Sequence, residues 1–313
     1  MRIFGAEKIA AVVDRMGMQE NEALEGKMLS KAIETAQKKV EENNFGIRKN
    51  LIEYDDVMNY QREAVYARRR NAINGDKIEI DLQNMMIDSA SLLVDSSSGM
   101  SYEDFSEILM ARFSIDPGFD EAFYNKAKKD DIVSALCHHM QECYQRRMQA
   151  LVEKLSPIIK QVYEKQGNMY KNIAIPISDG RKVITLSVDL EKAYKSEGRE
   201  VAKTLSKNII LYQIDEHWKE HLREMDDLKQ SVQNAVHEQK DPKVVYKLES
   251  YNLFAQMLES LNQDVLSFLL RAFIPLRDAS EAKAPAQQRK PDMNSMQTSR
   301  TDLVTNGGEA KSN

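Results

Sequence analysis

Cysteine is nearly missing from this sequence, with Cys137 and Cys143 the only two. Both fall in a helical pattern, and six residues is about 600° of helical rotation, so they face different ways. That argues against a disulfide or a shared metal site and leaves two structural cysteines. Proline and glycine are also scarce, at 7 and 12 in 313 residues, so few breaks interrupt the helices. There is no excess of positive charge. The net charge of -5 argues against general affinity for nucleic acid. No apolar run reaches the roughly 18 to 20 residues needed to cross a bilayer, and the start of the chain lacks a signal-peptide core. The expected place is the cytoplasm, with or without a peripheral seat on a membrane. No G-x-x-x-x-G-K-[ST] phosphate loop and no G-x-S-x-G nucleophile elbow occur, so no nucleotide or acyl chemistry is visible.

What remains is charged residues at 30% and hydrophobic residues at 42%, the composition of a mainly α protein with two or three domains. The organising stretch runs from about Leu29 to Arg70. Leu29, Ile33, Ala36, Val40, Ile47, Leu51, Tyr54, Met58 and Val65 recur at helical spacing, with only Asn43 and Gln61 polar on that stripe. One helix of on the order of 60 Å follows, with Ser30 as N-cap and Gly46 as a local cost of roughly 1 kcal/mol. The rest of its surface is dense in Lys, Glu and Arg.

Before the rod, Ile9, Val12, Val13 and Met16 mark a short amphipathic helix stopped at Gly17, and Gln19 to Gly26 is a linker. After it, Asn74-Gly75-Asp76 is a turn, followed by helices over Lys77 to Val94 and Ser101 to Phe113 and a break at Asp116-Pro117-Gly118. A long amphipathic run through Ile132, Leu136, Met140, Tyr144, Met148, Leu151 and Leu155 is kinked or ended by Pro157. Alternation from Asn172 to Val188 around Ser178-Asp179-Gly180-Arg181 reads as a small β-hairpin. These pieces form a helical lobe inserted after the rod.

Two further stripes mark helices of an antiparallel hairpin. Val201, Leu205, Ile210, Ile214, Trp218, Leu222, Met225, Leu228 and Val232 form the first; Val244, Leu248, Tyr251, Phe254, Leu258, Leu261, Val265 and Phe268 form the second. Gln233 to Lys240 loses the period, and Asp241-Pro242 restarts it as N-cap and first-turn proline. Trp218, Leu222, Met225, Phe254 and Leu258 are the expected packing residues. Beyond Pro275 the composition is that of a disordered tail.

Three motifs invite chemistry. His217-Trp218-Lys219-Glu220-His221 matches the H-x-x-E-H zinc-peptidase pattern, in which two histidines share a helix face and a glutamate serves as base. A third ligand is needed, for which Glu249 and Glu259 are the downstream carboxylates, and an apolar seam through Trp218 and Leu222 explains the stretch without metal. Arg68-Arg69-Arg70 reads better as a solvated face than as a nucleic-acid patch. Cys137-His138-His139 reads better as helix surface and core than as ligands.

Several long stretches, in order, carry a family resemblance. Met1-Arg2-Ile3-Phe4-Gly5, Asn44-Phe45-Gly46-Ile47-Arg48-Lys49, Glu53-Tyr54-Asp55-Asp56-Val57-Met58-Asn59-Tyr60-Gln61-Arg62, Trp218-Lys219-Glu220-His221-Leu222, and Gln239-Lys240-Asp241-Pro242 with Tyr246-Lys247 resemble SecA, the ATP-driven motor of bacterial preprotein export. The similarity spans Met1 to about Arg70 and Gly198 to about Phe273. It implies that residues 1–72 are the exit from a motor domain and the long scaffold helix, 73–197 a helical wing, 198–274 a two-helix finger with the rest of the scaffold, and 275–313 a C-terminal linker.

By the same resemblance, Ile47, Leu51, Tyr54 and Met58 are the coupling face of the scaffold helix. The finger tip, Ala235, Val236, His237, Glu238, Gln239 and Lys240, would touch the SecYEG channel and an unfolded preprotein. The nucleotide-binding domains of the same polypeptide and an anionic membrane surface are the other implied partners, nucleic acid is not one, and homodimerisation is left open. No cofactor is expected in this chain, ATP and Mg belonging to the rest of the full-length family. Two departures stand out: His237 takes the place of a tyrosine common at the tip, and nothing after Cys143 supplies the Cys/His zinc segment that often ends the family. The competing class is a non-catalytic coiled-coil scaffold or adaptor.

Overall fold

The computed structural model describes residues 27–75, 77–166, 169–232 and 241–275. The expected N-terminal amphipathic helix, the loop Gln233 to Lys240 and the tail lie outside the described residues. Within them are eight helices and one two-stranded antiparallel sheet, the mainly α class read from the sequence.

The rod is a single helix, α1 (Lys27–Asn74), of 48 residues, or about 70 Å at 1.5 Å per residue. It is already helical at Lys27, so Ser30 lies inside it rather than capping it. The helix passes through Gly46 without interruption, and nothing lies within 4 Å of the point a Cβ would occupy there. Gly46→Ala will therefore raise thermal stability and helical circular dichroism, by about 0.5–1 kcal/mol. A lowered melting temperature would show that the glycine is needed.

The stripe on α1 has two fates. Ile33, Ile47 and Leu51 are exposed, whereas Gln61, Val65 and Ala72 are buried and Tyr54 and Met58 half-buried. The second half of α1 lies against the other elements and the first half reaches past them.

After Gly75, α2 (Ile78–Ser96) and α3 (Tyr102–Phe113) follow. The Ser101 hydroxyl caps α3 by accepting from the Asp104 amide, while donating to the Asp104 carboxylate. A single-turn helix, α4 (Glu121–Lys126), capped by Asp120, precedes α5 (Lys129–Gln166). Pro157 does not end α5. Leu155 and Ile159, both buried in the core, flank it, and their packing holds the helix through the one backbone donor that proline lacks.

Strands β1 (Asn172–Ser178) and β2 (Val183–Asp189) pair from Asn172 opposite Asp189 to Ser178 opposite Val183. Ile175 and Ile177 from β1 and Leu186 and Val188 from β2 face the core, as the alternation requires. The turn is closed by the Asp179 carboxylate, which accepts from the Arg181 and Lys182 amides. Asp189 then caps α6 (Leu190–Lys195).

The last two helices, α7 (Arg199–Ser231) and α8 (Pro242–Arg271), run antiparallel: His217 meets Asp264, and His221 lies beside Phe254. Asp241 caps α8 by accepting from the Lys243 amide, with Pro242 in the first turn. One contiguous core joins the end of α1, helices α2, α3 and α5, the sheet, and parts of α7 and α8. The lobe and the long hairpin therefore share their interior. Just past α8, Phe273 pairs with Ser178 through two backbone hydrogen bonds of 2.8 Å.

Candidate functional site

A smaller hydrophobic cluster sits where α1, α7 and α8 converge. Met225 and Val232 from the α7 end and Tyr246 from α8 are buried, with Tyr54, Val57, Met58, Leu228, Val245 and Leu253 packed around them. The Tyr54 and Tyr246 rings meet edge to face at 4.7 Å. Burial pushes the Tyr246 phenol up to about 12. At the surface of this cluster Lys243 forms an ion pair with Glu53; its hydrogen bond holds the Glu53 carboxyl low and the Lys243 ammonium high.

One turn to two turns further along α1, Gln61 is a three-helix junction. Its amide nitrogen donates to the Ser250 carbonyl of α8 at 3.0 Å, and its oxygen accepts from His221 Nε2 of α7 at 2.8 Å. The first contact fixes the amide's orientation, so the second fixes the imidazole as the Nε2–H tautomer. His221 is 1% exposed, between Trp218 and Phe254, each with ring centroid 5.6 Å away. Its Nδ1 is buried with no partner. Burial lowers this imidazole to about 4, because an added proton would find no acceptor there.

Beyond the junction the same face of α1 carries two arginines into the interface. Arg68 donates to Asn262 Oδ1 at 2.6 Å, and Asn262 in turn donates to Asp88 at 3.3 Å; burial lowers Arg68. Arg69 forks onto Asp215 at 2.9 and 3.4 Å. Lys207 donates to the Ile73 carbonyl. Read from the sequence as a solvated face, the arginine run instead supplies two inter-helix clamps, and only Arg70 is exposed.

The sequence-predicted residues divide accordingly. Tyr54, Met58 and Met225 meet in the small cluster. Trp218 and Phe254 flank His221, and Leu258 packs on the main core. Leu222 is exposed, as are Ile47 and Leu51 on the free half of α1. Ala235 to Lys240 lie outside the described residues. The zinc pattern is not assembled: His217 Nε2 faces Asp264 at 3.0 Å while His221 Nε2 is held by Gln61. Among the described residues no group of three or more His, Cys, Asp or Glu is placed to hold a metal ion. Ser250 and Asn262 were not singled out from sequence, Arg68 was read only as part of a solvated face, and Gln61 was noted only as a polar position on the stripe. The signal for Gln61 was a polar side chain on a stripe whose only other polar position was Asn43.

The family model described as the SecA wing and scaffold domain matches residues 23–273, most of the chain. The chain belongs to the SecA family. The SecA of Parabacteroides distasonis, named protein translocase subunit SecA, is 46% identical over 291 residues, covering 93% of this chain and 26% of that protein. The same name is carried by relatives from Porphyromonas gingivalis W83, 43% identical over 304 residues (97% of this chain, 28% of the relative), and Bacteroides thetaiotaomicron, 46% identical over 291 (93% and 26%). The chain thus spans about a quarter of the length of these SecA relatives. The junction at Gln61, His221 and Ser250 lies inside the part that matches the SecA wing and scaffold. No helix among the described residues is long and apolar enough to cross a membrane.

Proposed function

We propose that this chain is the helical transmission of a protein-translocating motor, carrying movement from nucleotide-binding domains to a preprotein. The observation that supports it best is α1: one unbroken helix, latched to α7 and α8 through Gln61, Arg68 and Arg69 along one half and, among the described residues, bare along the other. Packed helices move as units between discrete arrangements. A rod held by directional polar contacts at one end and free at the other suits that task better than a uniformly apolar coiled coil, which is how an adaptor would pair.

On this reading residues 1–72 are the motor exit and scaffold helix, 73–197 the wing, 198–274 the two-helix finger with the remainder of the scaffold, and 275–313 the linker. Ile47, Leu51, Tyr54 and Met58 form the coupling face, the exposed pair meeting the motor domains. Ala235 to Lys240 touch the preprotein at the mouth of SecYEG, on the cytoplasmic face of an anionic membrane. ATP and Mg act in other domains of the full-length protein.

The test is made in a full-length SecA carrying this segment. Replacing Val236 and His237 with glycine will lower preprotein export while leaving substrate-free ATP hydrolysis near its starting rate. Unchanged export removes the tip assignment. Crosslinks from residues 236 and 237 to a translocating chain distinguish the motor reading from an adaptor, which would give none.

A further inference from the structure

Away from the junction, a group of reactive side chains meets between α5 and the segment that follows α3. Cys143 Sγ accepts a hydrogen bond from the Arg146 guanidinium at 3.1 Å and lies 3.5 Å from His139 Nε2. That imidazole nitrogen also meets Asp116 Oδ1 at 2.9 Å, a contact that holds the Asp116 carboxyl below its usual range. The ring is clamped in place. Gly118 has a φ of +77°, and a Cβ there would come within 2.3 Å of the imidazole, so the loop closes on His139 only because residue 118 has no side chain.

Cys143, Asp116, Arg146 and Arg147 line one cavity of about 400 Å³, between α5, the end of α3 and Leu270 of α8. No metal-holding group is present among the described residues, so the cluster is read as thiol chemistry rather than ligation. The thiolate is the nucleophile in thiol chemistry, and at Cys143 a guanidinium donates directly to the sulfur. Cys137, six residues earlier, is desolvated, and burial pushes its thiol up. The cavity has room for more than a peroxide, and its wall carries two guanidinium groups, Arg147 also donating to the Leu270 carbonyl, against the one carboxylate of Asp116, a balance that favours a ligand bearing carboxylates.

We infer that Cys143 is a site of reversible thiolation, and that the cavity beside it receives a small anionic disulfide. In the step, Cys143 releases its proton to water and its sulfur donates an electron pair to one sulfur of the incoming disulfide. The new S–S bond forms as the old one breaks. The departing sulfur leaves with that bond's electron pair and takes up a proton, so the small disulfide is reduced as Cys143 is oxidised. An excess of small thiol reverses the exchange.

The experiment uses the chain as it is, whose two cysteines give two separable signals. Cys137→Ser and Cys143→Ser are each treated with dithiobis(nitrobenzoate), a dianionic disulfide, and with dithiodipyridine, a neutral one, and thiol release is followed by absorbance. Cys143 will react at least about tenfold faster than Cys137 with the dianionic reagent. Arg146→Gln, at an exposed position, will slow that reaction several-fold and the neutral reagent much less, with an unchanged circular dichroism spectrum. Equal rates at the two cysteines, or a faster Cys137, overturn the site. Equal slowing of both reagents by Arg146→Gln overturns the anionic ligand class, and no slowing of either overturns the role of the guanidinium.

Discussion

Gln61→Leu will lower the unfolding free energy by about 3 kcal/mol, the largest single effect expected on α1. The side chain is buried and joins three helices by two hydrogen bonds. Leucine fits the volume but leaves the His221 Nε2–H without a partner, at about 1–3 kcal/mol when buried, and removes the second hydrogen bond to the Ser250 carbonyl, which keeps only its helical one, at about 1 kcal/mol. Pairing Gln61→Leu with His221→Phe will recover part of that loss, because the stranded imidazole donor is then gone. Urea unfolding of the two singles and the double gives the coupling. A loss below about 0.5 kcal/mol for Gln61→Leu, or strict additivity in the double, would show that the junction contributes little.

The second large effect is on pH dependence. The unfolded imidazole titrates near 6.5, while His221 in the folded chain is held at about 4 by burial. Above 6.5 neither state takes the proton. As pH falls from 6.5 toward 4 the unfolded chain binds it and the folded chain does not, so the native state loses up to about 3 kcal/mol over that window and no more below it. His221→Phe removes this dependence. The stability difference between parent and variant, measured at pH 7.5 and pH 5, will therefore shift against the parent at the lower pH. A pH-independent difference would mean that the imidazole is protonated in place. Comparing the two proteins cancels the carboxylates, such as Glu53 and Asp116, whose folded-state values are also lowered.

Of the residues behind these two results, the sequence made Gln61 visible only as an anomaly and His221 only as part of an H-x-x-E-H pattern. The α1 stripe, the alternation from Asn172 to Val188 and the Asp241-Pro242 start were legible because each is a local pattern, set by period or by capping chemistry within a few residues. The single-turn helices α4 and α6 were not, since six residues carry no period and depend on the carboxylates of Asp120 and Asp189. Pro157 looked like a kink or a stop because its cost is local, while the packing of Leu155 and Ile159 that carries the helix past it is tertiary. Gln61 stood out as polar on an apolar stripe. Its partners could not be read, because Ser250 lies 189 residues away and His221 160. Arg68 and Arg69 looked solvated for the same reason: Asn262 and Asp215 come from helices far along the chain.

The pairing of Phe273 with Ser178 stitches the exit of α8 to the edge of β1. A thrust delivered lengthwise along α8 cannot slide that helix past the sheet without first tearing two backbone hydrogen bonds. The C-terminal end of α8 is thus moored to the sheet, and a load along that helix passes into the lobe through backbone hydrogen bonds as well as through side-chain packing.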